Sequence, residues 1–135
     1  MVGWGKVYIV ALVLSLMDSE EMIKIVVDVF YKVYKELGSG FLEKVYENAM
    51  AIEFEKCGLD FKKQCPVKVY YDGKIVGDYI ADFLVGDDIV VEVKAIREFS
   101  GADEAQLLNY LRATGRKKGI LLNYGVKPQV KRMVY

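Results

Sequence analysis

The stretch that decides the fold is residues 80 to 94, which read IADFLVGDDIVVEVK. Two apolar runs flank the turn residues 86–88, a pattern that predicts a β-hairpin. If the turn takes these three residues, Asp82 lies directly opposite Glu92. Side chains alternate along a strand, so Asp82, Glu92 and Lys94 are predicted to share one face. The other face is predicted to be apolar, with Ala81, Phe83, Val85, Val91 and Val93.

Two opposed carboxylates in an otherwise apolar hairpin require a compensating charge. Directly opposed Cβ atoms lie about 4.5 to 5.5 Å apart, and like charges at that spacing destabilise a sheet. Hard carboxylate oxygens suit Mg²⁺ or Mn²⁺, and Lys94 would stand beside such an ion, where it could orient water or neutralise charge at phosphorus. The plainer interpretation, two strand acids with Lys94 in an ion pair, is favoured for so short a pattern taken alone.

A helix predicted over residues 102–114 carries Gln106 and Tyr110 one turn apart on the same face. An amide and a phenol in that position could bind phosphate or position a ligand of the metal. A hydrogen bond on the helix surface is the alternative, and it is the favoured one for this pair by itself.

The remaining periodicity predicts an α/β fold with helices about a mixed sheet. Helices are expected over residues 20–37 and 41–57, followed by strands near 59–64, 67–71, 75–85 and 89–95, and by strands near 118–123 and 129–135 after the third helix. In the second helix the residues expected to point inward are Leu42, Val45, Tyr46, Ala49, Ile52 and Phe54.

Composition limits the chemistry that the chain can perform. Its 135 residues amount to one domain, and it contains no histidine, which excludes a Ser-His-Asp triad, a Cys-His pair and the usual histidine-containing zinc site. Cys57 and Cys65 form no CxxC motif, so we expect reduced thiols and a cytoplasmic protein.

Residues 7–17 form an apolar run of 11 residues, shorter than the roughly 20 that a membrane-spanning helix needs. No small-residue cleavage site follows it, so neither export nor a membrane partner is expected. Asp18 and Ser19 are good N-cap residues, so we predict an apolar extension over residues 1–17 and a single domain over 18–135. The extension would pack as a strand or helix, or pair two copies in a homodimer.

Formal charge divides unevenly along the chain, although its sum is zero. Residues 105–135 carry seven basic residues and no acid, or +7, whereas residues 1–104 carry 12 bases and 19 acids, or −7. Such asymmetry can mark a face for an anionic partner.

The order Asp82, then Glu92-Val93-Lys94, then Gln106 and Tyr110 resembles the PD-(D/E)XK nuclease superfamily, including the glutamine-tyrosine helix of its recombination-exonuclease branch. Upstream, residues 40–46 read GFLEKVY. This segment is similar to the signature of the prokaryotic GxxExxY family within that superfamily. The resemblance covers about residues 20–135.

The resemblance implies a restriction-endonuclease-like core of helix, three strands, helix and strand, and a site that hydrolyses phosphodiesters with a divalent metal. Metal ligands implied by position are Asp82, Glu92, the Val93 carbonyl and, from the first-helix motif, Glu43. The other implied site residues are Lys94, which would assist the attacking water, and Gln106 and Tyr110, which would support the site or the phosphate. The alternative for Glu43 is a helix acid stabilised by the dipole.

The chain departs from the family pattern at Asp103, where members often carry histidine before Glu-Ala-Gln. Two hypotheses therefore stand. One is a nuclease dependent on Mg²⁺ or Mn²⁺ that acts on DNA or, as the less favoured substrate, on RNA. The other is a nucleic-acid-binding or assembly module that has the nuclease fold without useful turnover.

Overall fold

The computed structural model describes residues 17–135. Its helices are α1 (Ser19–Leu37), α2 (Glu43–Lys56) and α3 (Gly101–Thr114). Its strands are β1 (Phe61–Tyr71), β2 (Lys74–Val85), β3 (Ile89–Lys94), β4 (Lys118–Tyr124) and β5 (Pro128–Val134). They form one sheet in the order β1-β2-β3-β4-β5, in which β3 and β4 are parallel and all other neighbours antiparallel. The predicted mixed sheet flanked by helices is confirmed.

Two apolar cores cover the two faces of this sheet. The first core packs α1 and α2 against one face, and the second core packs α3 against the other. Because parallel neighbours cannot be joined by a tight turn, α3 forms the crossover that carries the chain from β3 to β4. This connection places α3 beside the carboxyl end of β3, where Lys94 lies.

The first strand is one continuous element rather than the two predicted around Pro66. Pro66 pairs with Ile80, and β1 lies at the edge of the sheet, where a missing backbone N–H is tolerated. Three strands therefore precede α3.

The first described helix, α1, begins at the N-cap that the sequence predicts. The Asp18 side chain accepts a hydrogen bond of 2.8 Å from the Glu21 N–H, and Met17 packs against the first core. The rest of the predicted extension, residues 1–16, lies outside the described residues, and the domain boundary at residue 18 stays a prediction. Within residues 17–135 no helix is both long and apolar enough to cross a membrane.

The buried face of α2 differs from the predicted one. Tyr46, Met50 and Phe54, spaced four residues apart, are fully buried, whereas Leu42 and Ile52 are 81% and 56% exposed. Val45 is exposed as well, and the prediction for these three residues was wrong because α2 carries apolar side chains around most of its circumference. Packing against the sheet selects one stripe among them, and Glu47 is buried on that stripe.

Strand alternation reverses at Asp82. Phe83 and Val85 belong to the first core as predicted, but Ala81 packs in the second core. The β1–β2 register puts Gln64 opposite Asp82, and Gln64 has a φ of 56°, in the left-handed region. A left-handed residue interrupts the alternation of a strand. The prediction that Ala81 shares a face with Phe83 was therefore wrong.

Candidate active site

Strands β2 and β3 separate at the two predicted carboxylates. Their pairing is regular from the turn to Phe83 and Val91, which confirms the predicted hairpin register. Beyond that pair, the Asp82 N–H donates to Glu92 Oε1 at 3.1 Å, and the Val93 N–H donates to Asp82 Oδ2 at 2.7 Å. Side-chain oxygens thus replace carbonyl oxygens as acceptors, and both carboxylates are fixed between the strands.

A third carboxyl group, Glu47, joins this pair from α2. Glu47 is 5% exposed and accepts a hydrogen bond of 3.3 Å from Gln64 Nε2. Burial raises the pKa of Glu47 to about 8, with further contributions from hydrogen bonding to Asp82 and from its negative charge. The left-handed backbone of Gln64 therefore lies at the site, and its amide contacts one of the site carboxyls.

Glu92 is the most deeply placed of the three acids that meet here, with 4% of its surface exposed. Burial raises the pKa of Glu92 to about 9, and the charge of Asp82 adds to the rise, whereas Lys94 acts in the opposite direction. The raised pKa values of Glu47 and Glu92 mean that the folded site disfavours the negatively charged forms of these carboxyl groups. A cation is the natural complement.

Glu43, the helix acid that the motif assigns to the metal, lies elsewhere. It begins α2 and is exposed to solvent. Glu47 lies four residues further along, one helical turn closer to the sheet, and it is this acid that contacts Asp82. We missed Glu47 in the sequence, although a charged residue beside Tyr46 on the stripe that continues to Met50 and Phe54 was a usable signal.

Lys94 is held by residues of α3. Its Nζ donates to Gln106 Oε1 at 3.3 Å, and Gln106 Nε2 in turn donates to the Tyr110 hydroxyl at 2.8 Å. Burial raises the pKa of Tyr110, and the charge of Glu92 contributes to the rise. The structure therefore brings Lys94, Gln106 and Tyr110 together in one chain of hydrogen bonds beside the carboxyl groups.

Asp103, the departure from the family pattern, has a structural role. Its Oδ2 accepts from the Ser100 N–H at 2.9 Å and from Ser100 Oγ at 3.0 Å, which forms a capping box at the start of α3. Its other oxygen lies 3.9 Å from Lys94 Nζ. Asp103 thus fixes the first turn of the helix that carries Gln106 and adds a partial counter-charge for Lys94.

The segment after Lys94 is anchored by a buried amide. Asn123 is fully buried; its Oδ1 accepts from the Ile96 N–H and its Nδ2 donates to the Ile96 carbonyl, both at 2.9 Å. The chain passes close by at Gly125, where an added Cβ would lie 2.4 Å from the Ile96 carbonyl oxygen. These contacts fix the exit of β3 and therefore the position of Lys94.

Oxygen donors dominate the site, which fits a hard divalent cation. The Val93 side chain is a hydrocarbon with no donor atom, so only its backbone carbonyl could add a ligand. Among residues 17–135 no three His, Cys, Asp or Glu side chains are arranged to hold a metal ion by themselves. Mg²⁺ keeps several waters and commonly takes only one or two protein carboxylates, so Asp82 and Glu92 suffice as a donor set.

The basic segment 105–135 is not a free cationic face. Lys118 and Arg132 contact Glu20 at 3.6 and 2.6 Å, and Lys131 forms an ion pair with Glu104. Acids from α1 and α3 therefore neutralise part of the +7 charge, because the fold brings the two halves of the chain together.

One family model matches most of the chain, and two solved structures share its fold. A model described as the PD-(D/E)XK nuclease superfamily matches residues 20–133. The crystal structure of SSO0001 aligns with a TM-score of 0.51 and 19% identity over 67% of this chain and 50% of that one. An alkaline exonuclease from Laribacter hongkongensis aligns with a TM-score of 0.50 and 16% identity over 67% of this chain and 55% of its own.

This chain thus spans about half the length of those two solved proteins. At these identities the likeness concerns the fold. No curated protein sequence gives a significant match.

Proposed function

Because the chain belongs to the PD-(D/E)XK nuclease superfamily, we propose that it is a divalent-metal-dependent nuclease that hydrolyses phosphodiester bonds in DNA. The observation that carries the proposal is the meeting of Glu47, Asp82 and Glu92 at the open end of the hairpin, next to Lys94. With no histidine in the chain, carboxylates, lysine and a bound cation are the groups suited to hydrolysis.

We assign the metal to Asp82, Glu92 and the Val93 carbonyl, with Glu47 in the helix position for which the motif suggested Glu43. When bound, Mg²⁺ or Mn²⁺ would act as a Lewis acid on the phosphate and lower the pKa of bound water. The raised pKa values of Glu47 and Glu92 support this assignment, since a cation favours the deprotonated form of both carboxyl groups.

Lys94 supplies positive charge where negative charge develops on the phosphoryl oxygens, and it can donate a hydrogen bond to the attacking water. Gln106 accepts from Lys94 and so fixes the direction of the ammonium group. Tyr110 accepts from Gln106, which leaves its own hydroxyl proton available for a phosphate oxygen. Because its pKa is raised, Tyr110 remains a protonated donor at neutral pH.

Within the superfamily, we assign the chain to the GxxExxY family on Gly40, Glu43 and Tyr46. Tyr46 is fully buried; its hydroxyl donates to the Gly38 carbonyl at 2.6 Å and accepts from the Phe41 N–H at 3.2 Å. The motif tyrosine therefore fixes the loop that leads into α2, and α2 places Glu47. On this view the motif supports the site from a distance.

Two further assignments belong to this proposal. Cys57 and Cys65 are free thiols, which fits a reducing compartment, and we place the protein in the cytoplasm. We also propose that residues 1–16 pair two copies of the chain in a homodimer.

The test is metal-dependent cleavage by purified protein across plasmid, linear, branched and single-stranded DNA and RNA. We expect cleavage with Mg²⁺ or Mn²⁺, none in EDTA, and a loss of about a hundredfold or more for Glu92→Gln and for Lys94→Met. Glu47→Gln should also lose activity, whereas Glu43→Gln, one turn away on the same helix, should keep it.

Equal cleavage by wild type, Glu92→Gln and Lys94→Met would indicate a contaminant and overturn the active site. Loss in Glu43→Gln with full activity in Glu47→Gln would return the helix role to Glu43. The second candidate function, a DNA-binding module without turnover, is favoured by the placement of Asp103 3.9 Å from Lys94, where it competes for the ammonium charge. Salt-sensitive DNA retention without cleavage of any substrate would establish that candidate.

A further inference from the structure

The hairpin of β1 and β2 extends well beyond the rest of the sheet. Pairing with β3 reaches only Phe83, so residues 66–80 form a two-stranded arm that pairs with no third strand among residues 17–135. This arm carries exposed aromatic side chains: Tyr70 is 61% exposed, Tyr71 75% and Tyr79 49%. Exposed rings on a two-stranded arm contribute little to the core and are available for contact.

A groove runs between the arm and α3, with a volume of about 840 Å³. The arm contributes Lys68, Tyr70 and Tyr79, and α3 contributes Tyr110 and Arg112. Tyr79 and Tyr110 meet with ring centroids 5.8 Å apart. Gln106 and Tyr110, which hold Lys94 at the candidate site, also line this groove, so the groove borders that site.

The charge of the groove is positive. Lys68 and Arg112 are the charged side chains that line it among the described residues, and no acid lines it. Neither side chain forms a salt bridge within residues 17–135, unlike Lys118, Lys131 and Arg132 of the basic segment. Positive charge that no salt bridge of the described residues neutralises is therefore present in this groove.

We propose that this groove binds single-stranded DNA and leads it to the carboxyl groups, an inference that rests on the proposed nuclease function. Sequence-tolerant single-strand sites combine cations for the backbone with aromatic rings on which bases stack. Lys68 and Arg112 supply the cations, and Tyr70 and Tyr79 supply the rings.

The test measures binding in EDTA, so that it does not depend on cleavage. A short fluorescein-labelled oligothymidylate and a duplex of equal length are titrated with the full chain, and binding is followed by fluorescence anisotropy. We expect the single strand to bind at least tenfold more tightly. Tyr70→Ser should weaken single-strand binding about fivefold or more, the low end for loss of one stacked base.

Matched controls lie on the same strand. Tyr71→Ser removes a neighbouring, more exposed ring that does not line the groove and should bind as wild type does. Lys68→Ser should reduce the slope of log affinity against log salt by about 0.7, the value for one phosphate contact with a single strand. Lys62→Ser, an exposed lysine of β1 outside the groove, should leave that slope unchanged.

Equal affinity for duplex and single strand, or equal effects of Tyr70→Ser and Tyr71→Ser, would overturn the inference. The proposed nuclease function fails by a different result, the absence of metal-dependent cleavage. Selective single-strand binding without cleavage would overturn that function and leave the groove assignment in place. Cleavage of duplex DNA, together with normal single-strand binding by Tyr70→Ser, would support the nuclease function and overturn the groove assignment.

Discussion

The two ends of the β2–β3 hairpin differ although they belong to the same two strands. At the closed end, Phe83, Val85, Ile89 and Val91 are fully buried and paired in regular register. At the open end, side-chain carboxylates replace backbone acceptors, and two carboxyl pKa values are raised. The closed end contributes stability, and the open end holds like charges together at a cost in stability.

The largest expected effect is at the closed end. Phe83 is fully buried, with ring centroids 5.3 Å from Phe54 and 6.0 Å from Phe61. Phe83→Ala should lower the free energy of unfolding by about 3 to 5 kcal/mol, measured by urea denaturation. Tyr71→Ala, at a 75% exposed position, should stay within about 0.5 kcal/mol of wild type. Comparable losses in both variants would contradict the assignment of stability to the closed end.

At the open end of the hairpin, raising the pH should lower the free energy of unfolding. The carboxyl groups of Glu47 and Glu92 have pKa values raised from 4.5 to about 8 and about 9, so the unfolded chain releases their protons at lower pH than the folded one. The contribution of these two groups to the stability of the metal-free protein is therefore full below about pH 4.5 and falls as pH rises towards 9. Thermal denaturation in EDTA across this range measures the fall.

Glu92→Gln should flatten that dependence, because a neutral amide replaces the group that is costly to ionise. Near pH 8 the variant should exceed wild type by more than about 1.4 kcal/mol, the equivalent of one pKa unit. Glu43→Gln, at an exposed position, should follow the wild-type curve. A Glu92→Gln variant less stable than wild type at high pH would show that the carboxyl groups are not under mutual repulsion.

Bound Mg²⁺ should relieve the repulsion between the carboxylates of the open end, and the expected change in the free energy of unfolding is of intermediate size. At ten times its Kd, Mg²⁺ should raise the free energy of unfolding of wild type at pH 8 by about 1.4 kcal/mol. Glu92→Gln should show a clearly smaller rise, because it lacks one ligand. Isothermal titration calorimetry provides an independent measurement, and equal binding by both proteins would remove Glu92 from the metal site.

The smallest expected change in stability concerns the Tyr124 hydroxyl, which belongs to neither end of the hairpin. The Tyr124 hydroxyl is buried without a hydrogen-bond partner among residues 17–135, and its ring stacks on Tyr46 at 4.1 Å. Tyr124→Phe should raise stability by up to about 1 kcal/mol, whereas Tyr46→Phe, which removes two hydrogen bonds, should lower it by about 1 to 3 kcal/mol. Urea denaturation distinguishes the two, and a similar loss in both would contradict this account.

Local patterns predicted the parts of the molecule that depend on neighbours in the chain. The hairpin register follows from turn length and alternation, and the start of α1 follows from the capping side chain of Asp18. Gln106 and Tyr110 were predicted on one helical face, and they form a direct hydrogen bond. The roles of these residues in catalysis remain predictions.

Predictions that depended on distant neighbours were less accurate. Periodicity could not select the buried stripe of α2, because several stripes of that helix are apolar, and Glu47 was missed for that reason. The face of Ala81 was predicted by strict alternation, which fails where Gln64 takes a left-handed backbone across from Asp82. The net charge of the basic segment was summed along the sequence, without the acidic side chains that the fold places beside it.

By itself, the sequence determined the mixed α/β fold, the opposition of Asp82 to Glu92, and the restriction to chemistry without histidine. These features depend on spacing along the chain and on composition. Only the tertiary structure decided that Glu47 rather than Glu43 reaches Asp82, that Asp103 caps α3 beside Lys94, and that a cationic groove lies beside the site. The physical reason is that burial and charge pairing depend on which elements pack together, and residues far apart in the chain settle that packing.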